Sequence, residues 1–121
     1  MKKFALVFLI IFLRTLIIFA DQGVVPFDEL TQKPQLIKRV NPQYPEQARQ
    51  NNWTGLTIIK IIISKSGKVT QCLIQKSSGY RILDQAAIQA IGQWEFTPGK
   101  KNGKTVKTAV TVPIVFRIKT P

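Results

Sequence analysis

The chain predicts an α+β fold that runs helix, β-hairpin, helix and a long C-terminal edge strand. Three stretches carry that expectation. Residues 56–64, Leu-Thr-Ile-Ile-Lys-Ile-Ile-Ile-Ser, are dense in β-branched side chains and nearly free of exposed polarity, as a central strand requires. Across residues 82–94, Leu83, Ala87, Ala90, Ile91 and Trp94 recur at three- and four-residue spacing, the stripe of an amphipathic helix. Residues 105–119 alternate strictly. Val110, Val112, Ile114, Phe116 and Ile118 fall on one face, and a face that apolar needs a helix over it.

Taken in order, the chain opens with Met1-Lys2-Lys3 and an apolar run from Phe4 to Leu13, which Arg14-Thr15 interrupts before Leu16 to Ala20 resumes it. Basic residues, a short apolar core and Ala20 before Asp21 fit a cleaved signal peptide. The rival is an uncleaved anchor. Residues 4–20 span 17 positions, the lower edge of the roughly 17–25 that cross a bilayer, and Arg14 would sit near the middle. Either way Lys2 and Lys3 stay inside and the remainder is exported. That places the domain in an envelope compartment.

Residues 21–36 hold Gly23, Pro26 and Pro34 without a period and read as a short tether or a partly docked arm. Leu36 to Val40 reads as a short strand. Asn41-Pro42-Gln43-Tyr44-Pro45 is a rigid corner, because each proline fixes φ and lacks an N–H. Tyr44 can anchor that corner on a core, and Pro45 suits the first turn of a helix from Glu46 to Asn52. The central strand then follows. Lys65-Ser66-Gly67-Lys68 is its turn, with Gly where positive φ is wanted, and Val69 to Lys76 returns as the second arm of a hairpin. Ser77-Ser78-Gly79-Tyr80 breaks the pattern, and Asp84 falls in the first turn of the second helix, where a carboxylate favours the positive end of the dipole. Lys100 to Lys104 reads as a solvated basic turn. In the last strand Pro113 cannot donate to a ladder, so the strand should be an edge, where an extended peptide can add as a further strand.

Composition narrows the chemistry. Lys and Arg outnumber Asp and Glu by 18 to 6, a net charge of +12 that favours anionic partners. The basic residues are scattered over turns and strand ends instead of clustering with exposed aromatics, which argues against nucleic acid. There is no histidine and one cysteine, Cys72, so an internal disulfide, a His/Cys metal site and His-based catalysis are excluded. Cys72 lies in an apolar strand pattern and reads as a structural thiol. The six acids are dispersed, with no paired carboxylates and no phosphate loop. No enzyme activity and no cofactor are expected.

The order helix, hairpin, helix, edge strand, together with Asn41-Pro42-Gln43-Tyr44-Pro45, Ala48-Arg49, Gly55, Ser77-Ser78-Gly79, Leu83-Asp84, Trp94, Phe96, Pro98, Gly103 and Val112-Pro113-Ile114-Val115-Phe116, resembles the TonB C-terminal domain family over about residues 37–121. The resemblance implies two helices packed on a three-stranded antiparallel sheet, with a long C-terminal edge strand, and a mechanical role: strand addition of the extended N-terminal box of an outer-membrane transporter, through which an inner-membrane proton-driven motor pulls. Carried over, the edge contacts would be Thr108, Val110, Val112, Ile114, Val115 and Arg117, and the corner contacts Asn41, Pro42, Gln43 and Tyr44. Typical members have a long Pro-rich linker and a membrane-helix histidine. This chain has residues 21–36 in place of the first and no histidine. The alternative is a soluble periplasmic protein-binding module, similar to TolA-type domains, with no force transmission. An open edge also allows a homodimer by strand pairing.

Overall fold

The computed structural model describes residues 23–119; the signal-peptide or anchor segment, residues 1–20, lies outside them. The elements are β1 (Val24–Val25), a 3-10 turn (Phe27–Glu29), β2 (Leu36–Lys38), α1 (Glu46–Gln50), β3 (Gly55–Ile63), β4 (Val69–Lys76), α2 (Arg81–Ile91), β5 (Glu95–Phe96), β6 (Gly99–Lys101) and β7 (Lys104–Phe116). The main sheet runs β1-β7-β3-β4, with β6 also on β7, and β2 pairs β5 separately. Its antiparallel β7-β3-β4 part, with two helices, is the expected architecture. β1 and β6 extend it with short pieces that period alone does not reveal.

β3 is central because it is apolar on both faces. Its odd residues Thr57, Ile59, Ile61 and Ile63 are fully buried under α2, which contributes Leu83, Ala87 and Ile91. Each such aliphatic side chain stabilises the fold by about 1.5–3 kcal/mol. The alternation of β7 holds as well: Val110, Val112, Ile114 and Phe116 point into this core, while Thr111, Pro113 and Val115 are exposed. Trp94 closes the end of the layer, its indole N–H donating to the Val40 carbonyl at 2.8 Å.

Two turns fix the ladder. Gly67 sits at φ +85°, and a Cβ there would lie 1.8 Å from the Phe96 carbonyl oxygen, so only glycine fits. Asn102 and Gly103, both at positive φ, close β6 onto β7 as a two-residue hairpin. The basic stretch Lys100–Lys104 is therefore a strand end and a tight turn, not simply a solvated loop.

Residues 23–36 are laid on the domain. β1 pairs in parallel with β7, Val24 opposite Lys107 and Val25 opposite Thr108. Leu30 is buried, Thr31 and Gln32 donate to the Lys100 carbonyl, and the Gln35 N–H donates to Thr97 Oγ1. The stretch expected as a tether is docked along β6 and β7 over this length. Among the described residues no helix is long and apolar enough to cross a membrane.

Candidate functional site

The last strand is an edge over part of its length only. Along Lys104–Val106 it carries β6, and at Lys107–Thr108 it carries β1. From Ala109 to Phe116 it pairs with β3 alone. Thr108, expected on the open edge, is buried, and its hydroxyl donates to the Val25 carbonyl at 2.9 Å. Its place is taken because Val24–Val25 already adds as a strand there. Arg117 lies just past the strand and is exposed.

The direction of the backbone groups on the open half follows from the β3–β4 turn. The Ser64 N–H donates to the Lys68 carbonyl, and the Ile62 carbonyl accepts from Thr70 Oγ1. Even residues at this end of β3 thus turn their N–H and C=O toward β4, and odd ones toward β7. β3 and β7 pair without a break from Gly55–Phe116 to Ile63–Thr108, and in every pair an odd residue of one strand stands opposite an even residue of the other. So Val110, Val112 and Ile114 spend their backbone groups on β3, and Ala109, Thr111, Pro113 and Val115 turn theirs outward. Pro113, opposite Ile58, loses a donor that the ladder never needed. Of the six residues expected to make the edge, only Val115 presents both its backbone groups and its exposed side chain on the open side. Sequence reasoning missed Thr111, because which parity faces outward depends on the turn at Ser64 and not on β7.

The corner is built differently. Tyr44 is half-buried, its ring meets Phe116 edge-on with centroids 5.6 Å apart, and its hydroxyl donates to the Trp53 carbonyl. Arg49, one turn into α1, lies with its guanidinium 6.0 Å from the same ring. Tyr44 therefore ties the start of α1 and the chain after it to the end of β7. Asn41 and Gln43, with Val40, line an open groove of about 710 Å³ against Gln85, Ala86 and Gln89 of α2. Pro42 is half-buried beside them. The two groups of expected contact residues thus join through Tyr44 and Phe116, while Asn41 and Gln43 face the helix side instead of the open strand.

Asp84 is the main polar anchor. Its carboxylate accepts from Thr57 Oγ1 at 2.9 Å, from the Ser78 N–H at 2.9 Å, from Ser78 Oγ at 2.8 Å and from Ser77 Oγ. Burial pushes its pKa up, but the hydrogen bonds from Ser77, Ser78 and Thr57 more than offset this and hold it below the ordinary value. One side chain thereby ties together the first turn of α2, the segment after β4 and the start of the core face of β3. Ser77 and Ser78 are spent on this anchor. Trp53 and Tyr80 stack beside it, centroids 4.7 Å apart. A hydrogen bond and the charge of Lys68 hold Glu95 below its ordinary pKa, and burial pushes the half-buried Cys72 thiol up. Among the described residues no three His, Cys, Asp or Glu side chains gather to hold a metal ion.

Residues 40–118 match the family described as Gram-negative bacterial TonB protein C-terminal. The chain is 38% identical over 77 residues to the protein tonB2 of Pseudomonas aeruginosa, covering 64% of this chain and 28% of that protein. It is 34% identical over 100 residues to the protein TonB of Vibrio cholerae, covering 82% of this chain and 41% of that one. The chain thus spans well under half the length of these curated relatives. The fold is similar to the solution NMR structure of the Pseudomonas aeruginosa TonB CTD, with a TM-score of 0.63 and 24% identity over 73% of this chain and 89% of that one. A Helicobacter pylori TonB-CTD solution structure matches with a TM-score of 0.50 and 27% identity over 67% and 85%.

Proposed function

The chain belongs to the TonB C-terminal domain family, and from that premise we propose that it is an envelope energy-transducer domain that binds the extended N-terminal box of an outer-membrane transporter by β-strand addition. The observation that carries this reading is the open half of β7. Ala109 to Phe116 pairs with the central strand on one side without a register shift and turns alternate backbone groups outward on the other. An added strand gains main-chain hydrogen bonds with loose sequence demands, which suits a module serving several transporters. Tyr44 touches Phe116 at the end of the same strand, so the corner adjoins the edge there. Energy would reach this domain from an inner-membrane motor acting through the N-terminal segment.

The docking of residues 23–36 favours a second reading, a periplasmic protein-binding module without force transmission. If residues 4–20 remain in the membrane, only residues 21–23 separate them in sequence from β1. A domain held that close to the membrane would meet partners near it.

Synthetic box peptides titrated against the domain test strand addition. Thr111→Pro removes an outward N–H and leaves the β3 ladder intact. It should weaken binding about tenfold, the worth of roughly one hydrogen bond, with little change in thermal unfolding. Proline at Val110 or Val112 would break the β3 ladder itself and test the wrong bonds. Unchanged affinity in Thr111→Pro would rule the mechanism out. Photo-crosslinking from position 111 in cells separates the two readings: a transporter adduct supports transduction, and an adduct confined to inner-membrane neighbours supports the local module.

A further inference from the structure

The open edge carries its own defect, and the defect counts differently for different partners. We infer that Pro113 makes the β7 edge reject a second copy of this chain and keeps it free for an extended segment of another protein. The inference rests on the strand-addition reading of the site.

The argument is one of counting. Outward backbone groups on the open half come from Ala109, Thr111, Pro113 and Val115, so a strand added there finds N–H donors on either side of a gap at Pro113. A foreign peptide loses one hydrogen bond at that gap and can leave a single carbonyl to water. A second copy of the chain pairs about a two-fold axis, so the gap appears twice. With the axis at Val112, Thr111 of each copy faces Pro113 of the other, and two carbonyls at the centre of the ladder lose their donors. With the axis at Thr111, Ala109 faces Pro113 twice. With the axis at Pro113, the two prolines face each other. Every antiparallel register that covers Pro113 therefore loses two bonds. Sliding toward the start of β7 to avoid it is blocked, because β1 occupies Lys107 and Thr108.

Charge works in the same direction. With the axis at Val112, Arg117 of each copy, just past β7, is carried toward the exposed Lys107 of the other, whose outward backbone groups β1 already holds. Like charges brought that close repel. A non-identical segment need not carry a cation at either place.

Pro113→Thr restores the donor with a good strand former, and Thr111→Pro in the same chain puts an equivalent gap back one step away. Self-association by sedimentation velocity and box-peptide affinity are measured on the native domain and both variants, at ~0.5 M salt to screen the charge pairs. One restored bond is worth about a tenfold change and two about a hundredfold. Pro113→Thr should thus tighten self-association about a hundredfold but peptide binding only about tenfold, and the double variant should return to native self-association. A native domain that already dimerises through β7, or a Pro113→Thr domain that self-associates no more tightly than native, overturns the inference. If Pro113→Thr dimerises as expected while no variant binds any box peptide, the inference stands and the proposed partner is wrong.

Discussion

The sheet has two free edges, and they are guarded differently. β4 is broken against β3 at two register shifts, between Ile58 and Ile59 and between Ile62 and Ile63, and its exposed residues are the polar Thr70, Gln71, Gln75 and Lys76 with one apolar side chain, Leu73. Bulges twist an edge away and polar side chains discourage pairing. The open half of β7 keeps eight pairs with β3 without a shift, and Val115 is 51% exposed on it. Its guards are Pro113 and the cations Lys107 and Arg117 toward its ends. A sheet that breaks one edge with bulges and leaves the other in register, with a single missing donor, presents one surface for an added strand.

The largest expected effect comes from the strand both edges share. Ile61→Ala should destabilise the domain by about 3 kcal/mol, because a fully buried side chain leaves a cavity, and both edges should fail together in chemical denaturation. If β7 stayed protected from exchange while β4 opened, the two edges would not rest on one core.

Asp84→Ala sharpens the contrast on the β4 side, where it frees Thr57, Ser77 and Ser78 at once. The expected loss is about 2 kcal/mol near neutral pH. Because the folded pKa lies below the unfolded one, the stabilisation is present above about pH 4, the unfolded value, and is lost as pH falls through the folded value. The native domain should therefore lose this increment on acidification and the variant should not. A native stability profile parallel to that of the variant would show that the hydrogen bonds do not favour the ionised form.

Tyr44→Phe acts at the end of β7. Removing the hydroxyl that donates to Trp53 should cost about 1 kcal/mol and loosen the corner more than the open strand. Peptide affinity falling far beyond that loss would mean the hydroxyl contacts the partner directly. The smallest effect is expected on the other edge: Leu73→Gln on β4, at a side chain 63% exposed, should leave peptide capture unchanged. Weaker capture would move the docking surface to β4.

The parts of this arrangement that were legible in the sequence are those decided by local period. Alternation in β7, the Leu83–Trp94 stripe of α2 and the Gly67 turn all report which side chains share a face or need positive φ. Pro113 correctly signalled an edge. The sequence could not show that the edge begins only at Ala109, because two residues more than 80 positions earlier, Val24 and Val25, cover its start. Two valines before a proline carry too weak a strand signal to be paired by eye. Tyr44 was legible as an anchor, but its acceptor is the Trp53 backbone, and a carbonyl has no sequence signature. Asp84 was legible as a helix-dipole residue, while its hydrogen bond to Thr57 required the fold.

The central claim, that an extended partner adds to the open half of β7, is tested most directly by amide hydrogen exchange with and without a box peptide. The account predicts slowed exchange at Thr111 and Val115, whose N–H groups point outward, with Val110, Val112 and the amides of β4 unchanged. A bound peptide that slows the amides of β4, or leaves Thr111 and Val115 exchanging as fast as in the free domain, would contradict it.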